Sequence, residues 1–203
     1  MRKYVILLAS GLMLAACSSQ ESSPPDTSAP QPEASSTTSA PAAGSSYVTS
    51  QCISLGGSPV TSDTAPTRGT TVAGVTVEET ALAPVITVAP GLPAATDVIA
   101  KTLVPGKGQA MTATDTITFN YCGVGLVSQQ QFDSSWANGA PITYPLDQLI
   151  PGWGEGMPGM KVGEQRLLII PGAAGYGSNP PSGSGILPDE SLAFVVQLIS
   201  IEN

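Results

Sequence analysis

Histidine is absent from all 203 residues. That single gap excludes a serine–histidine nucleophile, an imidazole proton shuttle and the commonest zinc ligand. No Ser-x-x-Lys stands in for the hydrolytic pair. The acids are scattered, with none of the spacing that a calcium or zinc site needs. Cations are scarce too: 7 Lys and Arg face 15 Asp and Glu, for a formal charge of −8. That balance argues against nucleic acid and against a polybasic membrane contact. Aromatics make up only 5% of the chain, so where they fall is informative.

No apolar run is long enough to span a bilayer as a helix. Arg2 and Lys3 precede a short apolar stretch from Tyr4 to Ala16 that ends in small residues. This is the pattern of a secretory leader, residues 1–16. Leu14-Ala15-Ala16-Cys17 resembles the bacterial lipobox, which implies that the Cys17 thiol is diacylated and becomes the mature N-terminus. Two acyl chains anchor stably where one is marginal. Losing Arg2 and Lys3 with the leader takes the charge from −8 to −10. Residues 17–46 are then the lipidated cysteine and a Ser, Pro, Thr and Ala tether without apolar periodicity. Such composition cannot offset its ordering entropy, so a disordered linker is expected, reaching roughly 30 Å over about 28 residues.

Residues 47–95 are weakly patterned. Val72–Val77 and Pro84–Val88 read as short strands of an extension laid against the main domain. Cys52 and Cys122 either pair in an oxidising compartment or are two unrelated buried thiols; the sequence leaves both open. Residues 96–203 are sharper. Ile117, Phe119 and Tyr121 alternate with Thr118, Asn120 and Cys122, as in a half-buried strand with Tyr121 inside. Leu192, Phe194, Val196 and Leu198 share one face of a last strand; Ile199 and Ile201 break that phase, which a covered second face or a bulge would explain. Glu164–Ile170 is another strand. Pro151 suits the first position of a short helix reaching Met157. Strands with one short helix and no parallel crossover predict an α+β fold with an antiparallel sheet.

Gly154-Glu155-Gly156-Met157-Pro158-Gly159 spells a dinucleotide fingerprint by letters only, because Pro158 lies inside it and the helix begins before it. The aromatic group is more telling. Phe132-Asp133-Ser134-Ser135-Trp136, Leu149-Ile150-Pro151-Gly152-Trp153 and Tyr176-Gly177 follow one another within about 45 residues. Brought together, a Trp, a Phe and a Tyr make a dry, rigid-walled pocket with a phenol at its rim. Aromatics usually fill cores. Here, however, Asp133 adjoins Phe132, and Tyr176 sits between two glycines in a Gly, Ser and Pro-rich loop, a common setting for ligand contacts.

In order, these motifs resemble the FKBP-type peptidyl-prolyl cis–trans isomerases over residues 96–203. Asn120-Tyr121-Cys122-Gly123 resembles the family's tyrosine strand, Phe132–Ser135 its bulged strand, Leu149–Trp153 its loop and helix, and Ile170-Pro171 through Tyr176-Gly177 its flap. The resemblance implies a twisted antiparallel sheet of five to six strands around one short helix. It implies that Trp153 is the floor under the substrate proline, with Tyr121, Phe132, Tyr144, Leu149, Ile150, Ile186 and Phe194 as walls. The Ile150 N–H and the Tyr176 hydroxyl would hold substrate carbonyls, and Asp133 would accept from the Tyr121 hydroxyl. No cofactor is implied. The implied partners are proline-containing peptides and unfolded exported proteins, macrolides such as rapamycin as competitors, and a membrane through the anchor. A monomer on the extracytoplasmic side of a bacterial membrane is the matching expectation.

Several positions depart from the family. Ile142 replaces an aromatic wall, Pro145–Gln148 is about two residues short, Leu187-Pro188 replaces Pro-Pro, the flap Ser178–Gly185 is atypical, and Cys122 replaces a threonine. They bear on peptide preference more than on activity; Ile142 and the altered flap motivate, as an alternative, an FKBP-like chaperone or adhesion module with little turnover. A passive surface spacer fits the tether but not the patterned core.

Overall fold

The computed structural model describes residues 46–56 and 59–202. The leader, the lipobox at Cys17 and the tether up to residue 45 lie outside them. The extension carries a five-stranded antiparallel sheet: β1 (Tyr47–Gln51), β2 (Val60–Ser62), β3 (Thr70–Val72), β4 (Val75–Glu78) and β5 (Val85–Val88), in the order β2-β1-β5-β4-β3. The Val72–Val77 segment is therefore not one strand. Ala73 and Gly74, both at positive φ (45° and 80°), turn it into the β3–β4 hairpin. Two positive φ values match the right-handed twist of a two-residue hairpin, but Ala in the first slot hides that turn from sequence inspection.

The second sheet holds β6 (Ile99–Val104), β7 (Thr116–Gly125), β8 (Gln131–Ser134), β9 (Ile142–Pro145), β10 (Gln165–Ile170) and β11 (Leu192–Glu202). Its order is β6-β10-β11-β7-β8, with β9 also on β7, and every pair is antiparallel. The ten residues of β7 serve β9 with their first half and β8 with their second. A one-turn helix, α1 (Ser135–Asn138), capped by Ser134, links β8 towards β9. The longer α2 (Pro151–Gly156) starts with Pro151 and ends at Met157. A missing N–H costs nothing at a helix start. This is the expected α+β architecture of six strands around a short helix.

Alternation divides the second sheet's side chains between two cores. On one face Ile117, Phe119, Leu168, Phe194 and Val196 pack with Trp153 and Met157 of α2. On the other, Cys122, Val124, Leu167, Ile169, Ala193 and Val195 meet Cys52, Val75, Val77, Ile86 and Val88 of the first sheet. Each Val or Ile so buried stabilises by about 1.5–3 kcal/mol. The first sheet is thus integral to the fold. It covers Ala193 and Val195 on the second face of β11 but leaves Ile199 exposed, and the register shift between Leu198 and Ser200 returns Ile201 to the α2 side. Cys52 and Cys122 form a disulfide across this interface, with Cα atoms 5.7 Å apart. Gln129, at φ 53°, donates from its buried amide to the carbonyls of Val88 and Ala89, fastening the end of β5 to the β7–β8 turn.

Candidate functional site

The inner face of β7 supplies Phe119 and Tyr121, β8 supplies Phe132 and Asp133, β11 supplies Phe194, and α2 with its lead-in supplies Leu149, Ile150 and Trp153. Together with Ile142 and Tyr176 they line a cavity of about 110 Å³. Pockets that engulf drug-sized molecules run to ~300–1,000 Å³, so this one suits a single small ring. A larger depression of about 520 Å³, beside β1 and the β7–β8 turn, is lined by Ser, Thr, Gln, Gly, Pro and one Val, without an aromatic wall.

Trp153 is 4% exposed at the centre of the aromatic group. Phe119, Tyr121 and Phe194 stand steeply inclined to its indole, with centroids 5.1, 5.7 and 5.2 Å away. Its indole N–H is buried with no hydrogen-bond acceptor among the described residues. Phe132 stands edge-on to Phe194 at 5.5 Å and to Tyr176 at 6.5 Å. Aromatic rings prefer such edge-to-face contacts, which fix the walls as well as drying them.

A β-bulge aims the polar rim. Gly123 pairs with Asp133 and Val124 with Gln131, so Phe132 is the extra residue of β8. Plain alternation would turn one of Phe132 and Asp133 away; the bulge lets both line the cavity. The Tyr121 hydroxyl donates to Asp133 Oδ2, while Asp133 Oδ1 accepts the N–H of Ser134 at 2.8 Å. Burial pushes the Tyr121 phenol well above its usual range, helped by this bond and the Asp133 charge. Burial and then Asp133 also raise Tyr176. Both phenols are therefore donors at neutral pH. The Tyr176 hydroxyl and the Ile150 N–H make no hydrogen bond among the described residues, leaving two donors free for a ligand.

Gly123 explains why the rings fit. A Cβ there would run into the Phe132 ring and lie 2.8 Å from Phe194 Cε1. The helix under Trp153 is held from behind: Arg166 donates to the Gly156 carbonyl at 2.7 Å and pairs with Glu164 at 2.7 Å.

Of the expected site residues, Tyr121, Phe132, Asp133, Leu149, Ile150, Trp153, Tyr176 and Phe194 converge on this cavity. Two do not. Tyr144 pairs with Ile117 on β9, one inner-face step beyond the Phe119–Ile142 pair, and stays 44% exposed. That step is about 6.8 Å along a strand, enough to carry the ring past the cleft. Ile186 is buried in the same apolar cluster without reaching the cavity wall. Phe119 is the added wall, and its alternation with Tyr121 was the signal for it. Among the described residues no three His, Cys, Asp or Glu side chains are placed to hold a metal ion.

Residues 107–199 match the family model described as FKBP-type peptidyl-prolyl cis–trans isomerase. An FK506-binding protein of Streptomyces anulatus is 38% identical over 114 residues, 55% of this chain and 92% of that one. A probable FK506-binding protein of Corynebacterium glutamicum is 41% identical over 109 residues, 53% of this chain and 90% of the relative. The chain belongs to the FKBP-type peptidyl-prolyl cis–trans isomerases. A crystal structure of FkpA from Escherichia coli overlays with a TM-score of 0.48 at 35% identity, covering 53% of this chain and 49% of that one. As an FKBP-type isomerase, the chain acts on the bond preceding proline. The family model's match, residues 107–199, takes in β7–β11 and leaves β1–β5 outside it.

Proposed function

We propose that this isomerase turns X–Pro bonds by gripping the twisted imide in the cleft floored by Trp153, and that it does so on exported proteins while tethered through Cys17. Amide resonance sets a rotation barrier of ~18–20 kcal/mol, so an X–Pro bond isomerises in tens to hundreds of seconds. The planar ground state is polar and well hydrated; the twisted state has lost resonance and part of that polarity. A dry aromatic floor therefore disfavours the planar form more than the rotated one. The proline ring rests on Trp153, the Ile150 N–H and the Tyr176 hydroxyl hold the flanking carbonyls, and Phe132, Leu149, Phe119, Ile142 and Phe194 exclude water. Asp133, with both oxygens occupied by Tyr121 and Ser134, orients the rim instead of moving a proton. Taking roughly 5–8 kcal/mol off the barrier gives about 10⁴–10⁶ in rate. The observation that carries this mechanism is the buried indole beside two unengaged donors.

The leader, the lipobox and the Cys52–Cys122 bridge support an exported location, since disulfides persist in oxidising compartments. A tether of about 28 residues lets a monomer reach chains emerging roughly 30 Å from the bilayer. Two relatives carry the name FK506-binding protein, and we extend macrolide binding to this cleft, with rapamycin competing for the Trp153 floor. Fractionation of producing cells with intact-mass analysis tests the anchor: wild type is expected in the membrane with two acyl chains on its first residue, and Cys17→Ala in the soluble fraction. An unmodified wild-type chain in the soluble fraction would rule it out. Isomerisation that rapamycin leaves unchanged would reject macrolide competition.

A further inference from the structure

The Tyr121–Asp133 pair and the disulfide belong to one closed ring of five residues. Cys122 follows Tyr121 in β7, and alternation sends its side chain through the sheet to the opposite core. There it is bonded to Cys52. The Cys52 carbonyl accepts the Ser134 hydroxyl at 2.6 Å, with both residues fully buried. Ser134 follows Asp133, donates its N–H to Asp133 Oδ1, and is the Cα partner of Cys122 in the β7–β8 ladder. Asp133 closes the ring by accepting the Tyr121 hydroxyl. Two members face the cleft and three lie behind it.

The strand that needs this ring is weak by itself. β8 has four residues, lies at the sheet edge, and is interrupted by the Phe132 bulge, so only three register pairs tie it to β7. Two further bonds come from the first sheet's lead-out: Ser134 on Cys52, and Gln131 Nε2 on the Ser54 carbonyl at 2.8 Å. An edge strand held at one end by a buried bond can keep its own carboxylate in register with the neighbouring strand's phenol; without that bond, the bulge is free to slide.

We propose that Ser134 and the Cys52–Cys122 bridge are positioning residues for the reaction, fixing Asp133 against Tyr121 from the far side of the sheet. The N-terminal sheet is thereby part of the catalytic apparatus. This inference rests on the isomerase reading for its kinetic arm and stands without it for its spectroscopic arm.

The test is a double-mutant cycle on the full chain with Ser134→Ala and Asp133→Asn, following peptide isomerisation and the NMR resonance of the Tyr121 hydroxyl proton. In the wild-type background Ser134→Ala is expected to lower kcat/KM about three- to tenfold, the size of one buried hydrogen bond, chiefly through kcat. It should also shift the Tyr121 resonance. In the Asp133→Asn background the same change is expected to have little further effect, because the pair it positions is already broken. Equal losses in both backgrounds, or an unmoved Tyr121 resonance, would overturn the proposal. Should Ser134→Ala fail to fold, the Cys52→Ala/Cys122→Ala pair carries the same comparison, with Ser134→Thr, which keeps the hydroxyl, expected to behave as wild type in both backgrounds. A wild type with no turnover would sink the isomerase reading alone, and the resonance shift would still decide the positioning role.

Discussion

The phenol of Tyr121 and the carboxylate of Asp133 meet across β7 and β8, and the carboxylate's other oxygen is taken by the Ser134 N–H. The pair is a fixed rim, not a proton relay. Asp133→Val should therefore leave the fold intact and cut kcat/KM roughly ten- to a hundredfold, the range for a hydrogen bond to a charged group. A peptide-coupled assay with a thermal melt on the same sample checks this. Wild-type kinetics in the variant would take Asp133 out of the site.

Alkali should expose the same pair. Tyr121 and Tyr176 are held protonated by burial and by Asp133, so their folded pKa values lie above that of an unfolded tyrosine. Their contribution to stability is complete below about pH 10 and is lost as pH rises through the folded values. With no histidine in the chain, no imidazole titration imposes a limb on the turnover profile between pH 5 and 8. Ultraviolet titration should show a late phenolate fraction that shrinks in Tyr121→Phe, leaving the part due to Tyr176. A late fraction unchanged by that substitution contradicts the assignment.

Breaking the disulfide should cost stability as well as position. The bridge joins residues 70 apart, and a closed loop of that length is worth about 4 kcal/mol in the unfolded chain. Denaturant melts of the Cys52→Ala/Cys122→Ala protein should show a lower midpoint and a steeper slope, because the unlinked unfolded chain is less compact. A midpoint equal to wild type would mean the first sheet holds without its covalent tie.

Gly123→Ala probes the walls from beneath. The added methyl enters the space of Phe132 and Phe194, and overpacking of this kind costs about 1–3 kcal/mol. Phe132 should move into the cleft, raising KM more than it lowers kcat. An unchanged KM would show that the rings yield elsewhere.

How much of this was legible follows from periodicity. β7 and β11 announce themselves because Ile117, Phe119 and Tyr121, like Leu192, Phe194 and Val196, alternate over enough residues to specify a face. Pro151 marked α2 for an equally local reason. The first sheet stayed faint because its strands are three to five residues long, its Ala73-Gly74 turn lacks the usual polar signal, and its support is the far face of another sheet. That face was itself readable in Ala193 and Val195, but nothing local says what covers it. Asp133 and Phe132 entered the site together only through a bulge, and Tyr144 left it by a single pleat; one residue of register decides each.

The most direct test is NMR exchange spectroscopy on an Ala-Leu-Pro-Phe-type peptide with a catalytic amount of the folded wild-type chain. Cis–trans exchange should be far faster than the uncatalysed tens to hundreds of seconds, with a large part of that gain lost in Trp153→Leu. Exchange at the uncatalysed rate beside a folded, disulfide-bonded protein would contradict catalysis by this cleft.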